Sequence, residues 1–378
     1  MKTDIFTMAD DNAPGFLPDY VRGMAEQMKP PSQPDLPAGP DLAGWLKVFP
    51  DLYKFGSSET AQIMLTTIGG IVVIYALLQL INWLLSVIQS PRLAIYRHAG
   101  NDSWALVTGA SDGIGKGFSE ELLRRGYNVL LHGRNPQKLE KVKKELQDQW
   151  PKRQLDIVVA DASKYDNSYT TLVKKAHNLP NNGKLTILVN NVGGQITFPR
   201  YLPLSECPHA DLDTTINVNA RFPTHLTASL IPLLRENSPS LILNCGSTGG
   251  VVGTPYIATY SGTKAYIHSF TQALKYEMLA DSTPDVETMG FIIGNTATTG
   301  NPHDLPFFTL TARDCAASCL DRVGKGGGAV VWSHWRHALQ YNVSRALPRA
   351  LVDKELMRLM RKRVEEEKEA MGSAKKDL

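Results

Sequence analysis

The stretch "WALVTGASDGIG", Trp104–Gly115, decides the fold. "WALVT" is a short apolar run of strand length, and it delivers its carbonyl end into a turn holding Gly109, Gly113 and Gly115. "GFSEELLRRG" follows with the pattern of a helix. A glycine in such a turn permits a tight bend and lets the backbone approach a pyrophosphate, which then rests on the helix N-terminus. A glycine-rich turn carries little weight by itself. Between a first strand and a helix it becomes a candidate dinucleotide site. Its spacing is Gly-x-x-x-Gly-x-Gly, not the Gly-x-Gly-x-x-Gly of many dehydrogenases.

The chain beyond repeats the alternation. "YNVLLHG" reads as a second strand, and "NPQKLEKVKKELQDQW" as a helix with Asn135 as N-cap and Pro136 at its first position. Leu139, Val142, Leu146 and Trp150 mark that helix's apolar face. "LDIVVAD", "LTILVNN" and "SLILNCGS" read as further buried strands. Strands alternating with helices in this way predict a Rossmann-like, doubly wound α/β fold with a parallel sheet.

The 378 residues carry a net charge of +3, too slight to argue for a nucleic-acid partner. Cys207, Cys245, Cys315 and Cys319 lack metal-site spacing, so no metal is expected, and reduced thiols on the cytosolic side fit best. Residues 1–60 form a polar, Pro-rich arm, and the first residues lack the pattern of a signal peptide. From Thr60 to Pro91 there is no charged residue, and "IMLTTIGGIVVIYALLQLINWLLSVI", Ile63–Ile88, is long enough for a transmembrane helix. The alternative is a buried core helix. The expected division is arm 1–60, transmembrane helix 61–90, Rossmann domain 91–310 and C-terminal helical extension 311–378.

Tyr260 and Lys264 stand four apart in "ATYSGTKAY", so on a helix they share one face. Alone the pair decides nothing. Together with "TGASDGIG", "NNVGG" (Asn190–Gly194), "INVNARFPTHLTASLIP" and "LILNCGS", it resembles the short-chain dehydrogenase/reductase family over about Ser103–Thr299. The resemblance implies a catalytic tetrad of Asn219, Ser247, Tyr260 and Lys264. Asn219 is selected over Asn217 by counting back from Pro232, and Ser247 lies the family's distance before Tyr260, with Tyr256 and Tyr266 as bystanders. In the implied chemistry Tyr260 gives a proton to the developing alkoxide and Ser247 holds the carbonyl oxygen. Lys264 favours the phenolate and holds the nicotinamide ribose, while Asn219 holds a water that links the lysine to solvent.

The same resemblance implies cofactor contacts from Gly109, Ser111, Asp112, Gly113, Ile114 and Gly115, from Asp161 at the adenine, and from Asn191 and Gly193. Tyr260, Lys264, Thr296 and Thr298 complete the set, with Ile293 where the family has proline. At the end of the second strand an acid usually binds the ribose 2′-hydroxyl of NAD. Here Gly133 leaves that place empty and Arg134 follows, which favours NADPH through its 2′-phosphate. The alternative is an arginine at a helix entry facing solvent.

A membrane helix ahead of this domain resembles the family's microsomal very-long-chain 3-oxoacyl-CoA reductases and related 17-beta-hydroxysteroid dehydrogenases. The run "VVWSHWRHALQYNVSRALPRALVDK" adds a looser likeness, and its Leu339, Val343 and Leu347 face either a membrane surface or the sheet. The resemblance implies reduction of a lipophilic ketone, an acyl-CoA in fatty acid elongation. The alternatives are a steroid or secondary-metabolite ketone, and a non-catalytic membrane scaffold. Membrane lipid is an expected partner; a homodimer or elongation-complex partners stay open. Lys375 and Lys376 in "KKDL" resemble a dilysine retrieval signal, so a single span in the endoplasmic reticulum with a cytosolic reductase is expected.

Overall fold

The computed structural model describes residues 58–88, 91–98, 102–164, 169–280, 286–301, 307–325 and 328–374. Most of the arm 1–60 and the lysines Lys375 and Lys376 lie outside these. The chain forms two compact units, Met1–Asn82 and Trp83–Leu378.

Helix α1 (Glu59–Ile88) is the apolar stretch. Its part Glu59–Leu78 is long and apolar enough to cross a membrane. A core helix would bury these side chains, yet Ile63 is 59%, Ile71 61% and Tyr75 64% exposed.

In the second unit, β1 (Ser103–Val107), β2 (Asn128–Gly133), β3 (Leu155–Val159), β4 (Lys184–Asn190), β5 (Ser240–Cys245), β6 (Val286–Ile292) and a short strand at Val330–Trp332 pair in parallel. Their order is β3-β2-β1-β4-β5-β6 with the short strand at the far edge. That edge strand falls within the stretch read as a helical extension.

Apolar residues on successive positions of one strand serve opposite faces, because side chains alternate across a sheet. Ala105 and Val107 of β1, with Val129 and Leu131 of β2, pack on α2 (Gly113–Arg124), α3 (Pro136–Gln149) and the helix Ala312–Asp321. Leu106 and Leu130 point the other way, onto α4 (Tyr169–His177), α6 (Phe222–Glu236) and α7 (Ala258–Ala280), the short α5 (His209–Ile216) preceding α6. Asn135 caps α3 by accepting from the Lys138 N–H at 2.8 Å, and Leu139, Val142 and Leu146 are buried on its inner face. The chain winds outward from β1 to β3 and then returns to β4. The β1/β4 boundary is therefore the switch point, where a cleft opens at the strands' carboxyl ends. After β6 come the short paired strands β7 (Thr296–Ala297) and β8 (Leu310–Thr311). The helix Ala312–Asp321 is α8, the edge strand is β9, and α9 (Trp335–Ala346) and α10 (Arg349–Ala374) end the described chain.

Candidate active site

The loop after β1 needs its glycines. Gly109 and Gly113 take φ of +68° and +54°, the left-handed region that favours glycine. Gly115 needs the space instead, since a Cβ there would stand 2.1 Å from the Gly109 carbonyl oxygen. Asp112 caps α2 by accepting from the Gly113 N–H at 2.6 Å. Ile114 packs against the core beneath. Asn191 lies under the loop and donates its side-chain N–H to the Thr108 carbonyl at 2.9 Å, while Thr108 Oγ1 accepts from the N–H groups of Asn191 and Val192. Asn190 holds the neighbouring strands, donating to Thr227 Oγ1 and to Asn244 Oδ1, both at 2.8 Å.

The end of β2 turns toward the same loop. A Cβ on Gly133 would lie 3.4 Å from Ser111 Oγ, and the Arg134 that follows is exposed. Asp161, after β3, is partly buried. Burial alone would raise its carboxyl, but two hydrogen bonds from Ser163 and the Arg134 charge outweigh this and hold it below the ordinary value. Thr298 reaches the loop from the opposite side: a Cβ on Gly113 would lie 3.1 Å from its Cγ2. Thr296 is buried and hydrogen-bonds to the Gly294 carbonyl at 3.3 Å. The cleft is thus a glycine-floored cradle at a helix N-terminus with an arginine at its rim. These features fit a nicotinamide dinucleotide.

Four other side chains converge nearby. Residues Asn217–Arg221 form a π-turn between α5 and α6, a one-residue widening that re-aims what it carries. Asn217 donates to the Ser163 carbonyl at 3.3 Å, whereas Asn219 turns toward Gly193 and Gly194. A Cβ on Gly193 would stand 2.6 Å from Asn219 Oδ1 and 3.1 Å from Lys264 Nζ, so both groups flank one point. Lys264 is buried and donates to the Cys245 carbonyl at 2.9 Å, at the end of β5. Its Nζ stands 5.7 Å from the centre of the Tyr260 ring. On the other side, a Cβ on Gly249 would lie 3.4 Å from Tyr260 Cε1 and 3.5 Å from Ser247 Oγ. Ser247 Oγ accepts from the Gly249 N–H at 3.1 Å and keeps its own proton free to donate.

The Asn219 side chain is more heavily committed than the sequence suggested. Its amide donates to the Gly194 and Thr215 carbonyls at 2.7 and 2.9 Å, and its Oδ1 accepts from the Gly194 N–H at 3.0 Å. It grips the loop after β4.

Three supporting residues were not anticipated. His268 accepts the Ser247 N–H on Nε2 at 3.3 Å. Burial, with the Lys264 ammonium beside it, pushes His268 down to about 4, so the ring is neutral and able to accept. The signal was present, because Tyr260, Lys264 and His268 are spaced by four on α7. His337 of α9 accepts the Gly294 N–H at 3.1 Å and fixes the turn after β6, where Ile293 is buried. A proline-free turn is held here by a histidine. Glu367 of α10 accepts the N–H groups of Arg200 and Tyr201 at 2.8 and 3.1 Å, and Arg200 in turn donates to the Gly300 carbonyl. No local pattern announces a contact between residues so far apart in sequence. By contrast, Tyr256 sits in a turn with φ of +66°, and the exposed Tyr266 hydrogen-bonds to Thr224.

The fold and this arrangement define a short chain dehydrogenase: residues 103–304 match that family, and the chain belongs to it. It is an oxidoreductase. The chain is 33% identical over 254 residues to a very-long-chain 3-oxoacyl-CoA reductase of Kluyveromyces lactis, covering 64% of this chain and 70% of that one. The enzyme of the same name from Aspergillus terreus is 28% identical over 330 residues, 86% of this chain and 87% of its own. Among solved structures, the 3-ketoacyl-(acyl-carrier-protein) reductase of Brucella melitensis, complexed with NADH, is 25% identical with a TM-score of 0.53, covering 61% of this chain and 95% of that one.

Proposed function

We propose that the chain is a membrane-anchored, NADPH-dependent ketoreductase that reduces a 3-oxoacyl-CoA to the corresponding hydroxyacyl-CoA. The observation that carries the reading is the convergence of Ser247, Tyr260, Lys264 and Asn219 beside the glycine cradle. The names of the relatives support the substrate, and the exposed Arg134, directly after the Gly133 that abuts Ser111, supports the choice of a 2′-phosphorylated cofactor. A nicotinamide held in the cradle would supply the hydride for the carbonyl carbon. Ser247 would donate to the carbonyl oxygen, and Tyr260 would pass its proton to that oxygen as it becomes an alcohol. Lys264 holds positive charge beside the tyrosine and would anchor the cofactor's ribose, and Asn219 keeps the Gly193–Gly194 turn against the cleft.

Anchoring by α1 is supported by its length, its exposure and the reach of the A. terreus match, whose 86% coverage extends N-terminal of Ser103. Four free cysteines, three of them buried, support a reductase unit on the reducing, cytosolic side of an endoplasmic-reticulum membrane. The deciding experiment presents purified full-length chain with NADPH and, separately, long-chain 3-oxoacyl-CoA and steroid ketones, following NADPH absorbance. Turnover of the acyl-CoA alone is expected. Turnover of the steroid alone overturns the substrate, and turnover of neither, with no NADPH binding, leaves the scaffold reading.

A further inference from the structure

Helix α9 offers two unlike faces. His337 is fully buried and hydrogen-bonds to Gly294, Asn295 and Ser333, fastening the helix to the end of the sheet. On the outer face Trp335 is 55%, Leu339 41% and Val343 52% exposed, at a spacing of four that keeps them on one side. Leu347, just past the end of α9, and Leu351 in the first turn of α10 are also exposed, at 51% and 54%. Single exposed apolar residues are ordinary, but five within seventeen residues, three of them on one helix face, are not. Phe307 packs edge-on against Trp335 with ring centres 5.9 Å apart, and the Arg336 guanidinium lies over both rings.

The chain along this row is basic, although Asp314 and Asp321 line one hollow together with His334 and Arg336. From Arg322 to Val352 the chain has no acidic residue, while Arg322, Lys325, Arg336, Arg345 and Arg349 are basic. Arg349 pairs with Asp353, but Arg336 and Arg345 have no carboxylate partner among the described residues. We propose that the face Trp335–Leu351 docks on the surface of a lipid bilayer carrying anionic headgroups. An apolar row with an aromatic ring at one end and arginines along its flanks matches the boundary between acyl chains and headgroups. A second copy of the chain is a poorer occupant, because a two-fold contact would set the same cations against each other.

The inference rests on the reading of α1 as a membrane span, which makes lipid the surface this unit meets most often. It adds a role: Phe307 belongs to the segment between Thr298, beside the cofactor cradle, and β8. Docking through Trp335 would bring Phe307 to the lipid surface, where a long acyl chain partitions.

The test uses full-length chain carrying Cys207→Ser, since the other three cysteines are buried. Val343→Cys is labelled with an environment-sensitive dye and the chain is reconstituted in phosphatidylcholine vesicles with and without phosphatidylserine. Retained NADPH binding checks the fold, and Leu347→Cys serves if the first variant fails it. Quenching by nitroxide lipid, rising with phosphatidylserine, together with protection from aqueous iodide, is the expected result. Labelled Glu369→Cys on exposed α10 gives the water reference. Iodide quenching at 343 equal to that reference overturns the docking. Protection from both quenchers also overturns it, because protein then covers the face. A label at Ile74→Cys reads the anchor separately: lipid contact there with a water-exposed Val343 sinks only the docking. A water-exposed Ile74 with a lipid-quenched Val343 sinks only the anchor.

Discussion

Tyr260 and Arg134 each carry a claim that one substitution can check. Removing the Tyr260 hydroxyl leaves the ring against Gly249 but takes away the proton donor. Tyr260→Phe should therefore lose at least roughly two to three orders of magnitude in turnover. NADPH affinity should hold, as measured by fluorescence titration. Tyr256→Phe should stay near normal, since Tyr256 ties into the fold through its backbone, its carbonyl accepting from the Leu202 N–H. The reverse pattern would mean that the wrong tyrosine has been assigned. Arg134→Ala should weaken NADPH by roughly ten- to a hundredfold, the scale of one charge-assisted hydrogen bond. NADH affinity should change little. Equal loss of both cofactors would show that the side chain supports the fold and not the 2′-phosphate.

Among the elements, α10 has the least expected part in the site. Its Glu367 carboxylate closes the turn at Arg200 and Tyr201, and Asn219 grips the same segment at Gly194. The loop after β4 is thus held at both ends. With one acceptor oxygen in place of two, Glu367→Gln should release one of the two N–H groups. The KM for the ketone should then rise roughly tenfold, the low end for a hydrogen bond to a charged group. NADPH affinity should be unchanged, because the cradle at Gly109–Gly115 stands on other elements. Loss of both together, or of neither, would remove Glu367 from any positioning role.

Stability and placement belong to the whole molecule. His132 is fully buried on β2, its ring stacked on Phe222, and burial pushes it down to about 4 despite the Ala160 carbonyl and Asp161 beside it. The folded chain keeps this ring neutral, while the unfolded chain takes up a proton below its ordinary value near 6.5. Its contribution is complete above that value and drains away as pH falls through about 4. Between about pH 7 and pH 5 the loss should be about 2 kcal/mol, and His132→Leu should lose less over the same interval. An unchanged pH slope in the unfolding of the detergent-held variant would contradict this. For placement, protease added to sealed microsomes should digest the reductase unit and spare the segment before α1. A protected reductase unit would reverse the proposed orientation.

The sequence by itself determined what depends on neighbours along the chain. Apolar runs of strand length, the glycines of the first turn and the Asn135 cap each act within a few residues, and so they set the α/β alternation and the cofactor-loop candidate. The Tyr260–Lys264 pair was legible because a helix puts residues four apart on one face. Even His268 was written there, one further step along the same face. Only the tertiary structure decided what distant segments do to one another. The π-turn that separates Asn219 from Asn217 depends on how α5 and α6 meet, and the Glu367 clamp depends on where α10 comes to lie. The final strand pairs on β6 from a stretch whose local pattern suggested helix alone. The choice between sheet and membrane surface for Leu339, Val343 and Leu347 likewise turned on packing, which leaves them off the sheet. Periodicity says that a helix has an apolar face; only packing, with buried His337 fastened to the sheet, says which face is left outside.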